Sequence, residues 1–211
     1  MKAKYVYFFG GGKAEGNRSQ KELLGGKGAG LAEMTNIGIP VPAGFTISTE
    51  ICTHFYTHGG AYPPGIEAEV AENLKKVEKE MASQFGSKSN PLLLSIRSGA
   101  RASMPGMMDT VLNLGLNDET VKALAARTGD ERFAYDCYRR FIQMYGDVVL
   151  GLKPAGKDDQ DPFEEILAER KRAANVEKDI ELGVADLKNL IARYRDMIRA
   201  TLGVEFPSDP M

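Results

Sequence analysis

The strongest constraint on the fold of this chain lies in residues 92–109, LLLSIRSGARASMPGMMD. The apolar run at 92–96 has the length of a buried strand. Arg97 follows it directly and begins a loop of small residues, in which Pro105 and Gly106 exclude a regular helix or a central strand. A loop that presents a guanidinium and exposed backbone N–H groups at the end of a strand suits an anionic ligand, and phosphate is the leading candidate.

Composition narrows the class of protein. The chain has 211 residues, of which 43% are hydrophobic, and its formal net charge is −2. This charge argues against general nucleic-acid binding, and no apolar run approaches the roughly 18 residues that span a membrane. Cys52 and Cys137 stand apart without metal-ligand spacing, so reduced thiols are expected. The first residues are too glycine-rich for a signal peptide, and the cytoplasm is the expected compartment.

The sequence changes character near residue 115. Before this point, short apolar runs alternate with helical patterns, whereas after it apolar residues recur at helical spacing. The predicted fold class is therefore α/β with a mixed sheet, followed by an all-helical subdomain. We divide the chain into an α/β part at residues 1–115, a helical subdomain at 116–202 and an extended tail at 203–211.

Individual elements follow from periodicity and from turn residues. Besides 92–96, strands are predicted at 6–9 and 44–47, and residues 13–20 are interpreted as a polar loop. Residues 110–114 are a second apolar segment, next to the loop that follows Arg97. A helix is predicted to end at a cap on Gly38, and further helices are expected at 49–59, from 63–64 to Gly86, and at 119–127, 130–149, 162–174 and 185–202. Arg139 and Arg140 lie on the helix at 130–149, as part of either a solvated face or a docking surface for another domain.

Lys27 lies in a glycine-rich run, residues 23–30, where a helix is expected to begin. Glycines let backbone N–H groups approach a phosphate closely, the start of a helix adds partial positive charge, and the ammonium supplies a point charge. The run is not a Walker A loop, because Gly28 follows the lysine where Ser or Thr is required, and it is not a dinucleotide-binding fingerprint. An ordinary surface lysine in a glycine-rich turn is the alternative.

Arg97 is the stronger phosphate candidate, because a preceding strand would fix its backbone while its guanidinium binds two oxygens. The alternative is an ion pair with a carboxylate at the end of the strand. Arg101 is less constrained and is interpreted as a solvated loop residue. The following loop could cover a ligand with backbone N–H donors, as glycine-rich flaps do over nucleotide phosphates, or form a plain connecting turn. Its residues are Gly106, Met107, Met108 and Asp109.

Other site chemistry finds little support in the sequence. Glu50, His54 and His58 could share one helix face, but no strong further metal ligand is near, so we interpret these histidines as solvated. No Ser/His/Asp or Cys/His arrangement is visible, and no carboxylates follow a recognisable magnesium-binding pattern. Neither a catalytic residue nor a metal ligand is therefore assigned within the chain.

Three segments carry a resemblance to a known family: LLGGKGAGLAEMTNIGIPVPAGFTIST, SIRSGARASMPGMMDTVLNLGLND and ERFAYDCYRRFIQMYGDVV. Together they resemble the beginning of the pyruvate, phosphate dikinases, and the resemblance extends over nearly the whole chain to EFPSDP. The middle segment is the most specific of the three. Related phosphoenolpyruvate synthases carry a shorter, Ser-rich and acidic version after the shared arginine.

The resemblance implies a reaction and a set of partners. Members of this family interconvert ATP, phosphate and pyruvate with AMP, diphosphate and phosphoenolpyruvate. Their N-terminal ATP-grasp domain binds ATP with Mg²⁺ and phosphorylates a histidine on a central swivelling domain, which delivers the group to a C-terminal pyruvate domain. Lys27 and Arg97 match the family's ATP-phosphate residues, and residues 106–109 match its phosphate-covering loop. Phosphoryl transfer mainly requires positioning and charge neutralisation, which these residue types can provide.

The chain is several hundred residues shorter than the enzymes of this family. The resemblance therefore implies an incomplete ATP-grasp-type nucleotide-binding domain, whose Mg²⁺ ligands, phosphohistidine domain and pyruvate domain lie beyond residue 211, and we expect the fragment to be inactive alone. Two alternatives stay open. One is a phosphoenolpyruvate synthase-like or antibiotic-phosphorylating relative, and the other is a stand-alone, non-catalytic nucleotide-binding or regulatory module. A coding sequence that continues into a Thr-Ser-His phosphohistidine motif would exclude the stand-alone module.

Overall fold

The computed structural model describes residues 3–99, 109–154 and 161–210. These ranges contain both helices and short strands, which confirms the predicted mixture of both. The strands are β1 (Val6–Gly10), β2 (Lys13–Ala14), β3 (Gly44–Ile47), β4 (Gln84–Phe85), β5 (Pro91–Leu92), β6 (Leu94–Arg97) and β7 (Thr110–Leu114). The helices are α1 (Lys21–Asn36), α2 (Thr49–Thr57), α3 (Ile66–Met81), α4 (Thr120–Thr128), α5 (Glu131–Val148), α6 (Pro162–Ala174) and α7 (Val184–Leu202).

The described chain forms two compact units. The first contains the residues up to Ser83 together with Ser98 and Gly99, and the second contains Gln84–Arg97 and the residues from Asp109 onward. The domain division near residue 115 stays a prediction. The compact units are divided elsewhere because the strands β4–β7 group with the helices α4–α7 and not with the first sheet.

A three-stranded antiparallel sheet with the order β2-β1-β3 organises the first unit. Strands β1 and β2 form a hairpin whose two turn residues, Gly11 and Gly12, have φ values of 58° and 77°. Two consecutive positive φ values give a tight turn that matches the twist of the strands, and glycine adopts them without strain. Residues 13–20, predicted as a polar loop, instead contain β2 and a short 3₁₀ helix at Arg18–Gln20.

Polar side chains fasten the helices of the first unit to its sheet. Glu69 on α3 accepts hydrogen bonds from the backbone N–H groups of Tyr5 and Val6, at 2.9 and 3.1 Å. Asn36 at the end of α1 accepts a hydrogen bond from the N–H group of Ala14 at 2.9 Å. These contacts supplement a small hydrophobic cluster, whose buried members are Val6, Ile51 and Ile66.

The second unit is built around the helices α4–α7. Helix α5 packs against α4, α7 and β7, and α6 packs against α7. The rings of Phe163 and Tyr194 meet edge-on within this core, with centroids 4.9 Å apart. Helices α5 and α6 follow Asp130 and Asp161, whose carboxylates accept hydrogen bonds from backbone N–H groups of the first turn. One hydrophobic cluster fills the space between the helices, and its largest fully buried side chains include Tyr138, Ile142, Phe163 and Tyr194.

The helices of this unit agree with the sequence prediction to within one or two residues, because apolar periodicity and capping residues define them locally. None of the helices in the described ranges is both long and apolar enough to cross a membrane. The described residues after α7 form no regular helix or strand. They are nevertheless packed, since Phe206 is buried and contacts the rings of Phe141 and Tyr145.

The paired arginines on α5 have different environments. Arg139 is only 3% exposed, and its guanidinium lies 3.0 Å from the carboxylate of Asp136 and 3.1 Å from the side-chain oxygen of Gln143. Arg140 is exposed and forms an ion pair with Asp136 at 3.1 Å. Arg139 therefore belongs to the interior of the second unit, and the predicted solvated or docking face is wrong at this position.

The apolar run at 92–96 does not form the single buried strand that its sequence predicts. Leu92 ends β5, which pairs in parallel with β4, whereas β6 pairs with β7 in an antiparallel ribbon. Leu92 is buried, but Ile96 is 49% exposed. The prediction was wrong because a short apolar run does not reveal whether a second face of the strand is covered.

Candidate functional site

The position of Lys27 is determined by a break in helix α1. Gly25 has φ 68° and ψ 167°, a backbone conformation that lies outside the helical region and is open almost exclusively to glycine. The helical path resumes after Gly25, so Lys27 lies in the first turn of the second part of α1. The prediction that Lys27 stands where a helix begins is confirmed in this sense, although one short helical turn precedes the break.

Contacts within the first unit hold both sides of this break. On the N-terminal side, the hydroxyl group of Thr49 donates a hydrogen bond to the carbonyl oxygen of Glu22 at 2.6 Å. On the C-terminal side, Gly28 is buried and lies directly against the side chain of Thr46 on β3. The turn that carries Lys27 is therefore fixed between α2 and β3.

The side chain of Lys27 is itself anchored. The residue is half-buried, and its ammonium group donates a hydrogen bond to the carbonyl oxygen of Ser98 at 3.1 Å. Ser98 is the residue that follows Arg97 in the sequence. This contact argues against the alternative of an ordinary surface lysine, because it connects the glycine-rich run with the beginning of the second candidate loop.

Arg97 ends strand β6, where it pairs with Thr110 of β7. Its side chain is exposed and forms no ion pair with any carboxylate in the part of the chain that the structure describes. The alternative of a structural ion pair at the strand end thus receives no support. A guanidinium on a paired strand keeps its charge and its planar set of donors available for an anionic ligand.

The loop predicted to cover a ligand is described only at its last residue. Gly106, Met107 and Met108 lie outside the described residues, as does Arg101. Asp109 stands directly before β7, and its carboxylate is 52% exposed and 3.6 Å from the ammonium group of Lys153. An ion pair with this exposure is a weak constraint on the position of Asp109.

The predicted site residues are thus distributed over both units. Lys27 and Ser98 are brought together in the first unit, whereas Arg97 and Asp109 belong to the second. The sequence analysis missed the roles of Ser98 and Thr46. The Gly25-Gly26 pair signals a helix break, but nothing local signals these two partners of the Lys27 turn, because both contacts join segments that are distant in sequence.

A metal site on α2 finds no further support. The rings of His54 and His58 stack with centroids 3.8 Å apart. Over residues 3–99, 109–154 and 161–210, no three His, Cys, Asp or Glu side chains come together in a way that could hold a metal ion.

Comparison with known proteins finds relatives along nearly the whole chain. The family model described as the pyruvate phosphate dikinase AMP/ATP-binding domain matches residues 21–63 and 63–132. The pyruvate, phosphate dikinase of Rhizobium meliloti (strain 1021) is 52% identical over 208 residues, which are 99% of this chain and 22% of that protein. The chloroplastic pyruvate, phosphate dikinase of Mesembryanthemum crystallinum is 52% identical over 207 residues, covering 98% of this chain and 21% of that protein. Pyruvate, phosphate dikinase 2 of Zea mays is 52% identical over 205 residues, 97% of this chain and 22% of that protein.

These matches confirm the resemblance found in the sequence. The chain spans only 21–22% of the length of these relatives. Both candidate phosphate residues, Lys27 and Arg97, fall within the segments that the family model matches. The chain belongs to the pyruvate phosphate dikinase AMP/ATP-binding domain family.

Proposed function

We propose that this chain is the N-terminal ATP-binding portion of a pyruvate, phosphate dikinase, with an ATP-grasp-type fold that further residues of the full-length protein complete. The observation that carries this proposal is the 52% identity over 97–99% of the chain to dikinases from a bacterium and two plants. The full-length protein would convert ATP, phosphate and pyruvate to AMP, diphosphate and phosphoenolpyruvate. A central phosphohistidine domain and a C-terminal pyruvate domain would be the partners of this portion, and the chain alone would be inactive.

Lys27 and Arg97 supply the positive charge for the ATP phosphates in this proposal. The ammonium group of Lys27 bonds a neutral carbonyl oxygen of Ser98, and a phosphate oxygen is a stronger acceptor that can replace it. The exposed guanidinium of Arg97 can donate two parallel hydrogen bonds to phosphate oxygens. Residues 106–109 would cover the phosphates, and Mg²⁺ would arrive with ATP and take its protein ligands from beyond residue 211.

Two substitutions in the full-length protein test these roles. Lys27→Ala and Arg97→Ala are each expected to lower the rate of enzyme phosphorylation by MgATP by about 100-fold or more, because each removes a charge that stabilises the transferred group. Far-ultraviolet circular dichroism and the melting temperature should stay unchanged. Lys75→Ala and Arg172→Ala, which remove exposed cations on α3 and α6, serve as matched controls. Phosphorylation at the parent rate in Lys27→Ala or in Arg97→Ala would refute the corresponding assignment.

A conservative substitution and the isolated chain complete the test. Arg97→Lys should also lose activity, since an ammonium group cannot form the planar pair of hydrogen bonds. Isothermal titration of the 211-residue chain with MgATP should show binding weaker than micromolar, because the proposed site is incomplete in this chain. Micromolar or tighter affinity would contradict that expectation.

A further inference from the structure

The turn that carries Lys27 touches strand β3 more closely than a side chain would permit. A Cβ atom placed on Gly28 would lie 2.6 Å from Cγ2 and 2.8 Å from Oγ1 of Thr46. Both distances are far shorter than the ordinary contact between non-bonded heavy atoms, which is about 3.5–4.0 Å. The missing side chain at position 28 is therefore what allows α1 and β3 to approach to this distance.

The second glycine after Lys27 has no such role. A Cβ atom on Gly30 would meet no other atom within 4 Å, although Gly30 lies in the same helix two residues further on. The close approach is thus specific to one position on α1. That position directly follows Lys27 in the first turn after the break at Gly25.

We propose that Thr46 is a positioning residue for Lys27, and that it acts through the glycine at position 28. The side chain of Thr46 sets how far the first turn after the helix break lies from β3. This distance in turn sets where the Lys27 ammonium group stands. The inference rests on the proposed function, in which that ammonium group binds the ATP phosphates.

The expected effect of removing this fit follows from the geometry. A methyl group at position 28 must displace α1 from Thr46 by about 1 Å to reach an ordinary contact distance, and displacements of this size can cost up to about 100-fold in catalysis. We expect Gly28→Ala in the full-length protein to raise the KM for MgATP by about 10-fold and to lower kcat/KM by at least the same factor. The double variant Gly28→Ala/Thr46→Ala lacks the two Thr46 atoms that the methyl group would overlap and retains a milder contact with Cβ of Leu24, at 3.3 Å. It should recover a KM within about threefold of the parent protein.

Alanine variants of two further glycines distinguish an effect on the position of Lys27 from a general loss of stability. A Cβ atom on Gly44 of β3 would lie 2.6 Å from Cζ of Phe9, so Gly44→Ala creates a similar overlap of β3 with β1 and not with α1. Gly44→Ala should lower the melting temperature and leave the KM for MgATP unchanged. Gly30→Ala should leave the KM unchanged and keep or slightly raise the melting temperature, because alanine favours a helix over glycine by about 1 kcal/mol.

The steady-state KM for MgATP, kcat and the melting temperature of all variants decide between the outcomes. The positioning role is overturned if Gly28→Ala keeps the parent KM, if Gly44→Ala raises the KM equally, or if Thr46→Ala does not rescue Gly28→Ala. Lys27→Ala, measured in parallel, shows whether the positioning role of Thr46 or the function proposed for Lys27 has failed. If Lys27→Ala keeps its activity, the function proposed for Lys27 has failed; if only Gly28→Ala keeps it, the positioning role alone has failed.

Discussion

The two compact units of this chain are stabilised in different ways. In the second, one hydrophobic cluster runs through α4–α7, and the large side chains of Tyr138, Phe163 and Tyr194 are at most 2% exposed. In the first, the hydrophobic cluster is small, and the strands are held by individual polar anchors such as Glu69. A close glycine contact at Gly28 adds to these anchors.

This difference predicts that the first unit opens locally at a lower free-energy cost than the second. A continuous core opens only at nearly the full free energy of unfolding, whereas regions held by a few separate contacts open at lower cost. Lys27 lies in a region of the second kind. In the proposed function, an ATP phosphate oxygen would replace the Ser98 carbonyl oxygen as its hydrogen-bond acceptor. Substitutions that remove a single contact from one unit or the other test whether this structural difference also appears in the free energy of unfolding.

The largest effect is expected for Phe163→Ala in the second unit. The Phe163 ring is fully buried, contacts Tyr194, and fills the space that the missing side chain of Gly146 leaves open. Its loss should lower the free energy of unfolding by about 3–5 kcal/mol, because a cavity remains. Guanidinium denaturation followed by circular dichroism measures the change. Phe133→Ala, at a position 47% exposed on α5, is the control and should cost under about 1 kcal/mol. Equal losses in both variants would mean that no dominant core exists.

A smaller effect is expected for Glu69→Ala in the first unit. The carboxylate accepts the N–H groups of Tyr5 and Val6, so its removal leaves two partly buried donors without an acceptor. We expect a loss of about 2 kcal/mol and faster hydrogen exchange at these two amides. Glu67→Ala, on the exposed side of the same helical turn, should change neither quantity. Unchanged exchange in Glu69→Ala would show that backbone pairing alone holds the beginning of β1, the central strand of the sheet.

Sequence reasoning succeeded where structure is determined locally. Helix α6 begins at Pro162 and ends at Ala174, as predicted, and the structure shows that the Asp161 cap and the N-terminal proline define its start locally. The family resemblance likewise depended on contiguous motifs and was confirmed. Lys27 was placed correctly at a helix start because glycine pairs interrupt helices within their own few residues.

Sequence reasoning failed where the outcome depends on distant segments. The burial of Ile96 and the solvation of Arg139 were both judged from neighbours in sequence. Arg139 is buried because Asp136 lies one helical turn away and Asp179, 40 residues further along, comes within 3.7 Å of its guanidinium. Buried charges persist only with such partners, and a partner at that separation leaves no local signature. The same limit concealed Thr46 and Ser98 as neighbours of the Lys27 turn.

The smallest predicted effect concerns the buried carboxylate of Asp147, whose ionisation destabilises the second unit. Asp147 lies in the last turn of α5, and its Oδ1 atom is buried with no hydrogen-bond partner among the described residues. Burial, followed by the nearby carboxylates of Asp161 and Glu164, raises the pKa of Asp147 to about 6, against an opposing contribution from Lys153. The partial negative charge at the end of a helix disfavours the ionised form further. The well-packed unit therefore carries one carboxylate that its own fold destabilises.

Asp147→Asn should remove this cost in a pH-dependent way. Because the pKa is raised on folding, ionisation of Asp147 opposes folding, and stability falls as the pH rises from about 4 to about 6. The variant should unfold with about 1 kcal/mol more free energy at pH 8, a value reduced by solvent screening of this half-buried group, and with no gain near pH 4. Thermal denaturation at both pH values measures the difference. Asp196→Asn, at an exposed ion pair on α7, should show little change at either pH. A gain of the same size at pH 4 and pH 8 would mean that the amide packs better than the carboxyl group, and not that ionisation of Asp147 opposes folding. Asp147 would then no longer count as an electrostatic cost within the well-packed second unit.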